Sequence, residues 1–171
     1  IPKRSGIVFM KHSSVYELFV GLVLFSPSSW VAKYELMYLP LFRKAIKVFG
    51  FIPVKRGSGK EEVKKVIALG TKHINKGRWI VIFPEGTRVK HKETKRYGLS
   101  GALLAVGTSS SITPIAHNAG KYWGRRALKK ESGTIVFSIG KTISCRGKAY
   151  DEINSEVKRW IDTEASRLDN L

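Results

Sequence analysis

Apolar positions along this chain change period several times, and each change predicts an element. Ile7-Val8-Phe9-Met10 is a continuous apolar run of strand length that hands the chain to Lys11 and His12. Leu18 to Phe25 is apolar on every face, so a helix there is buried all round or lies against lipid, with a core helix as the default. Ser26-Pro27-Ser28-Ser29 ends it, and Trp30-Val31-Ala32 reads as a short strand. From Glu35 to Val48 bulky apolar residues alternate with Arg43, Lys44 and Lys47, and Pro40 must kink or split any helix. That segment packs onto its own sheet or lies in a membrane interface.

Gly50 to Gly57 reads as a short strand running into a glycine turn with Arg56 at its end. Ser58 and Glu61 make a capping box that opens a helix carrying Val63, Val66, Ile67, Gly70 and Ile74 on one face, closed by Asn75-Lys76-Gly77. Trp79 to Phe83 is unbroken apolar sequence, the mark of a strand covered on both faces. The turn Tyr97 to Gly101 leads into a short helix, Ala102 to Val106, and then a strand, Ser111 to Ala116. Pro114 has no N–H for a central ladder, so this strand is expected at an edge or bulge beside the site. Thr134 to Ile139 is the last clear strand, and an amphipathic helix from about Asp151 to Leu168 closes the chain. Strand, helix, strand is the local grammar, and it predicts an α/β layer architecture.

Chemistry enters with His12 and Glu17. On one continuous helix two side chains five residues apart point roughly 140° away from each other and cannot touch. If His12 instead lies on a turn after the first strand, and a helix begins near Ser14, Glu17 can reach back to the imidazole. A carboxylate on one ring nitrogen fixes the tautomer, so that the other nitrogen takes a proton from a substrate hydroxyl. The same residues have a second reading, because Ser14-x-x-Glu17 is also a capping box with Glu17 on the serine amide.

The buried strand at Trp79 to Phe83 delivers Pro84-Glu85-Gly86-Thr87-Arg88 at its carboxyl end, where open α/β sheets place ligands. Gly86 permits a tight bend beside a bound group, Thr87 offers donors, and Arg88 can fork onto a phosphate. Arg56 and Arg88 would then end neighbouring strands. Alternatively this is an ordinary turn with Glu85 paired to Arg88. His117 is either a second candidate base or a hydrogen-bonded structural histidine. Gly57-Ser58-Gly59-Lys60 fails as a phosphate loop, since Val54 stands where its first glycine belongs and Glu61 follows the lysine.

Composition narrows the partners. The chain has 171 residues, enough for one domain with a continuous core, and its single cysteine, Cys145, is either a reactive thiol or, the favoured reading with no His or Lys beside it, an inert strand residue; a reducing compartment fits. Lys and Arg number 31 against 13 acidic residues, a formal charge of +18, so a polyanion is expected nearby. The longest apolar run, Leu18 to Phe25, is too short to span a bilayer. The chain begins at Ile1, and is read as part of a longer protein whose membrane anchor is upstream or absent.

Taken in order, these blocks resemble the lysophospholipid acyltransferase family, specifically its 1-acylglycerol-3-phosphate O-acyltransferases. Four family motifs are matched by His12-x-x-x-x-Glu17, Phe51 to Arg56, Phe83-Pro84-Glu85-Gly86-Thr87-Arg88, and Thr113-Pro114-Ile115-Ala116. The likeness continues through Tyr97 to Gly101 and His117 to Gly120. Two departures stand out: Glu17 is one methylene longer than the family's commoner aspartate, and Lys55 stands where aspartate is frequent. The resemblance implies a single-domain α/β fold over 1–171, with a mixed, largely parallel sheet flanked by helices. It implies His12 as general base for the 2-hydroxyl of lysophosphatidate and Glu17 as its orienting group. Arg56 and Arg88 would bind the phosphate, with Glu85, Gly86 and Thr87 shaping that pocket's floor and Lys55 and Pro114 beside it. An acyl-CoA or acyl carrier protein thioester would be the co-substrate, without metal, nucleotide or covalent acyl-enzyme. Phosphatidate would form at an anionic membrane, on the cytoplasmic face of the inner (plasma) membrane, with no nucleic acid as partner. Another lyso-lipid acceptor, such as a lyso-ornithine lipid, is the nearby alternative, and a basic module binding membrane or nucleic acid without chemistry is the distant one.

Overall fold

The computed structural model describes residues 5–40, 44, 46, 49–55 and 59–171. In chain order its elements are β1 (Ile7–Met10), α1 (Tyr16–Leu24), β2 (Ser28–Lys33), a 3-10 turn over Tyr34–Tyr38, β3 (Ile52–Val54), α2 (Gly59–Ile74), β4 (Trp79–Ile82), α3 (Ser100–Gly107), β5 (Ser111–His117), α4 (Ala119–Tyr122), β6 (Phe137–Ile139), β7 (Ile143–Ser144) and α5 (Tyr150–Asp169). Among these residues one seven-stranded sheet runs β3-β2-β4-β1-β5-β6, with β7 also on β5. Pairing is parallel from β3 across to β5, and antiparallel where β6 and β7 meet β5. The α/β sheet flanked by helices expected from the sequence is therefore the fold.

Alternation along β1 and β4 divides the core. Ile7, Phe9, Ile80 and Ile82 face one layer, where Val66 of α2, Leu104 of α3, and Ile153, Val157 and Ile161 of α5 cover them. Val8, Met10 and Val81 face the other layer, with Trp30, Phe25 and the α1 residues Leu18 and Leu22. A period of two on strands buried from both sides is what makes their sequence read as unbroken apolar runs.

Four expectations are corrected. First, α1 is not buried all round: Phe19 is 57% exposed and Val23 81%, on the same stripe as exposed Tyr16. The helix meets the sheet along Glu17 and Gly21, where an added Cβ at Gly21 would lie 2.5 Å from the Trp30 ring. Second, β3 and β4 are not neighbours, because β2 pairs with both and separates them. Third, of the edge or bulge expected at Pro114, the edge is wrong and the bulge is found: Pro114 sits inside the sheet, opposite Phe9 of β1, where the pairing register on its other side slips by one residue between β7 and β6. Its carbonyl accepts the Gly140 amide at 2.9 Å, so its nitrogen faces the same side, where β6 gives way to β7 and no ladder donor is needed. Fourth, the last long strand begins only at Phe137, since the segment before it is bonded to a side chain. Asn118 accepts the Val136 amide (2.8 Å) and donates to the carbonyls of Thr134 (3.3 Å) and Leu168 (3.2 Å). The predicted strand at Gly50 to Gly57 is β3, while Arg56, Gly57 and Ser58 lie outside the described residues, as does most of the segment 41–48.

Candidate active site

β1 occupies the centre of the sheet, and its carboxyl end opens directly into the turn that carries His12. The chain turns through Ser13 to Val15 and α1 begins at Tyr16, so Glu17 lies in the first helical turn, fully buried. Glu17 Oε1 lies 2.8 Å from His12 Nδ1. The Ser14 amide also donates to both carboxylate oxygens, at 3.1 and 2.9 Å, and Ser14 Oγ accepts the Tyr16 amide at 3.1 Å. Half of the capping-box reading is thus realised with the other: the glutamate that accepts the Ser14 amide is the one that holds the imidazole, while the N-cap position itself falls to Val15, without a side-chain cap bond. Burial pushes the Glu17 carboxyl up to about 8, against the opposing pull of the Ser14 amide and of the Arg88 charge.

The second element of the site is the turn after β4. Phe83 stacks its ring on His12, with centroids 3.9 Å apart and planes 16° from parallel. Gly86 adopts φ +68° as its amide donates to the Phe83 carbonyl at 3.0 Å. A Cβ there would meet nothing within 4 Å, so backbone conformation rather than space calls for glycine. Buried Glu85 points Oε1 at the His12 amide, 3.3 Å away, and its Oε2 has no partner among the described residues. Burial raises its carboxyl above the usual range, with Lys11 and the His12 amide pulling it back. Glu85 thus faces the His12 turn, and no ion pair joins it to Arg88 among the described residues. Arg88 is exposed and close enough to Glu17 to favour its ionised form. Next to it, the Val89 amide donates to the His12 carbonyl at 2.8 Å.

A cleft of about 390 Å³ adjoins this turn, walled by Val31, Val54, Val63, Val66, Ile82 and Phe83. Lys55, Glu85, Gly86 and Thr87 also line it, whereas Pro114, packed against Gly140, does not. The Lys55 ammonium sits over the Tyr34 ring, 4.9 Å from its centroid. Phe83 belongs to both the imidazole stack and the cleft wall, and so joins the polar pair to the apolar space. In the sequence Phe83 stands within a family-like motif without an evident task; its place at the end of a buried strand, one residue before the turn, is the available signal.

His117 stands behind the pair, with both ring nitrogens occupied: Nε2 donates to the Lys11 carbonyl at 2.8 Å, and Nδ1 accepts the Ala119 amide at 3.2 Å. That is the structural alternative of the two read from sequence, and burial holds its imidazole down to about 4. No group of three or more metal-binding side chains occurs among the described residues.

The geometry sets a histidine held by a buried carboxylate beside an apolar cleft, at the end of a central parallel strand, and comparison with known proteins assigns the class. The family model described as Acyltransferase matches residues 1–118, and the chain belongs to that family. It is 35% identical to the 1-acyl-sn-glycerol-3-phosphate acyltransferase of Pseudomonas aeruginosa, covering 98% of this chain and 66% of that one. The enzyme of the same name from Borreliella burgdorferi is 31% identical over 84% of this chain and 55% of its own. This chain therefore spans less than two thirds of the length of either relative. The crystal structure of the 1-acyl-sn-glycerophosphate acyltransferase of Thermotoga maritima shares the fold, with a TM-score of 0.82 at 18% identity, covering 99% of this chain and 68% of that one.

Proposed function

We propose that this chain is the catalytic region of a 1-acylglycerol-3-phosphate O-acyltransferase, moving a fatty acyl group from acyl-CoA or acyl carrier protein to the 2-hydroxyl of lysophosphatidate. The carrying observation is the 2.8 Å contact between His12 Nδ1 and buried Glu17, next to an apolar cleft. The names of the two bacterial relatives support the same acceptor.

In this reading Glu17 keeps the His12 proton on Nδ1, and Nε2 takes the proton of the acceptor hydroxyl as its oxygen attacks the thioester carbonyl. Collapse of the tetrahedral species breaks the C–S bond, and His12 returns the proton to the departing thiolate. Phosphatidate and free carrier thiol result. The acyl chain occupies the apolar cleft, Arg88 and Arg56 hold the phosphate, Gly86 and Thr87 shape the wall beside it, and Glu85 keeps the His12 turn in place. The thioester is a co-substrate, and the protein itself contributes the base, its orienting group and the cations. The formal charge of +18 and the exposed stripe of Tyr16, Phe19 and Val23 support docking on an anionic bilayer, at the cytoplasmic face of the inner membrane. No helix among the described residues is long and apolar enough to cross one.

The test is turnover of lysophosphatidate with each thioester by membranes carrying the protein, with product identified by mass. His12→Ala is expected to lower kcat about 100-fold to 10,000-fold. Undiminished turnover by that variant removes the base assignment, and equal use of an unphosphorylated acceptor removes the phosphate assignment.

A further inference from the structure

The peptide units on both sides of His12 are tied down from three directions. Ahead of it, the Lys11 amide donates to the Ile115 carbonyl of β5 at 3.0 Å. The Lys11–His12 peptide has its carbonyl on His117 Nε2 (2.8 Å) and its N–H on Glu85 Oε1 (3.3 Å). Behind it, the His12 carbonyl takes the Val89 amide. His117 is the buried side chain among these that nothing else in the site explains. With Nδ1 accepting the Ala119 amide, its ring carries a hydrogen on Nε2 only, and that N–H lies on the Lys11 carbonyl, 3.7 Å from Glu17 Oε2. Its ring also leans on Phe137, with centroids 4.8 Å apart, so it has little room to turn.

We propose that His117 is a positioning residue for the acyl transfer: by donating to the Lys11 carbonyl it fixes the Lys11–His12 peptide plane, and with it the direction in which the His12 imidazole leaves the turn towards Glu17 and over Phe83. The inference rests on His12 being the base. Loss of the His117 donor leaves a buried carbonyl without a partner, and the peptide rotates to find one. Rotation there moves the imidazole against a fixed carboxylate and a fixed aromatic ring. Misplacement of a reacting group by about an ångström costs as much as 100-fold in rate. The binding of acceptor and donor, which His117 does not touch, is left as it was.

The experiment compares His117→Leu, which fills the space without a donor, with His117→Gln, whose amide N–H reaches the same carbonyl. Both are measured in membranes carrying the protein, with lysophosphatidate and acyl-CoA, and folding is checked by protease resistance and thermal melting. The leucine variant is expected to lose about 10-fold to 100-fold in kcat with KM for lysophosphatidate within about twofold, and glutamine to return kcat to within about threefold of wild type. Equal kcat for the two folded variants, or a loss that appears in KM alone, overturns the proposal. If leucine does not yield folded protein, glutamine decides: kcat within threefold of wild type sustains the proposal, and a larger loss overturns it. His12→Ala is run beside them. Should it retain turnover, the base assignment falls and this inference with it; should it be inactive while leucine and glutamine match, only the role of His117 falls.

Discussion

Replacing Glu17 with glutamine separates the two roles that the structure shows in one side chain. The Ser14 amide donates to Oε1 at 3.1 Å and to Oε2 at 2.9 Å, and the His117 N–H points into the same region, 3.7 Å from Oε2. A glutamine must set its NH2 at one oxygen site and its carbonyl at the other. With NH2 at the Oε2 site it confronts two donors. With NH2 at the Oε1 site it has one donor beside it, the Ser14 amide at 3.1 Å, but also meets His12 Nδ1, 2.8 Å away, and can donate to it. The second orientation wins, and it moves the histidine proton from Nδ1 to Nε2, leaving no base towards the substrate. A tautomer error of this kind in a histidine–carboxylate pair costs about 10,000-fold in kcat, or about 5 kcal/mol of transition-state stabilisation. The carbonyl still accepts the Ser14 amide, so the cap survives and the melting temperature is expected to fall by less than about 3 °C. Acyl transfer to lysophosphatidate and thermal melting on the same preparation test this. A folded variant within tenfold of wild type refutes the orienting role, and an unfolded variant refutes the claim that the amide keeps the cap.

Two further outcomes follow from burial. Because the Glu17 carboxyl is pushed up to about 8, the form with a single proton, on His12 Nδ1, is reached only as pH rises through that value, so kcat/KM should climb with a limb centred near 8. Between the ordinary carboxylate range and about 8 the native state holds the proton that the unfolded chain has lost, so stability should fall with rising pH, by at most about 1.4 kcal/mol per unit. Flat denaturation midpoints from pH 5 to 8, or no limb in the rate profile, contradict the shift. Gly21→Ala would place a methyl 2.5 Å from buried Trp30 and 3.2 Å from Met10. Overpacking of about 1–3 kcal/mol exceeds the gain of about 1 kcal/mol in helix propensity, so a lower melting temperature is expected, and an unchanged one contradicts the packing of α1.

Local signals carried much of this molecule. The helix following Ser58 and the closing helix show a 3.6 period, β4 is an unbroken apolar run, and the five-residue step from His12 to Glu17 admits contact only across a turn. What escaped was set by distant partners. The carboxylate of Glu85 meets an amide 73 residues away, and His117 a carbonyl 106 residues away, separations that no local pattern encodes. Strand order escaped for the same reason, since insertion of β2 between β3 and β4 is decided by packing across the sheet. In α1 the apolar surface is continuous, so periodicity could not tell the sheet face from the exposed one. Pro114 suggested an edge or a bulge because its missing donor says only that a regular ladder is interrupted; that the interruption is the bulge where β7 gives way to β6 is set by distant partners.

The match to the family model ends at Asn118, but the folding unit does not. The amide of that very residue holds the carbonyl of Leu168, and Ile153, Val157 and Ile161 of α5 close the layer over Ile112 and Ala116. Trimming the gene to the portion that model matches would strip one side of β5 to water and loosen the strand end that carries His117. Expression boundaries drawn from that model alone would thus yield an aggregating fragment, and residues 119–171 should travel with the rest.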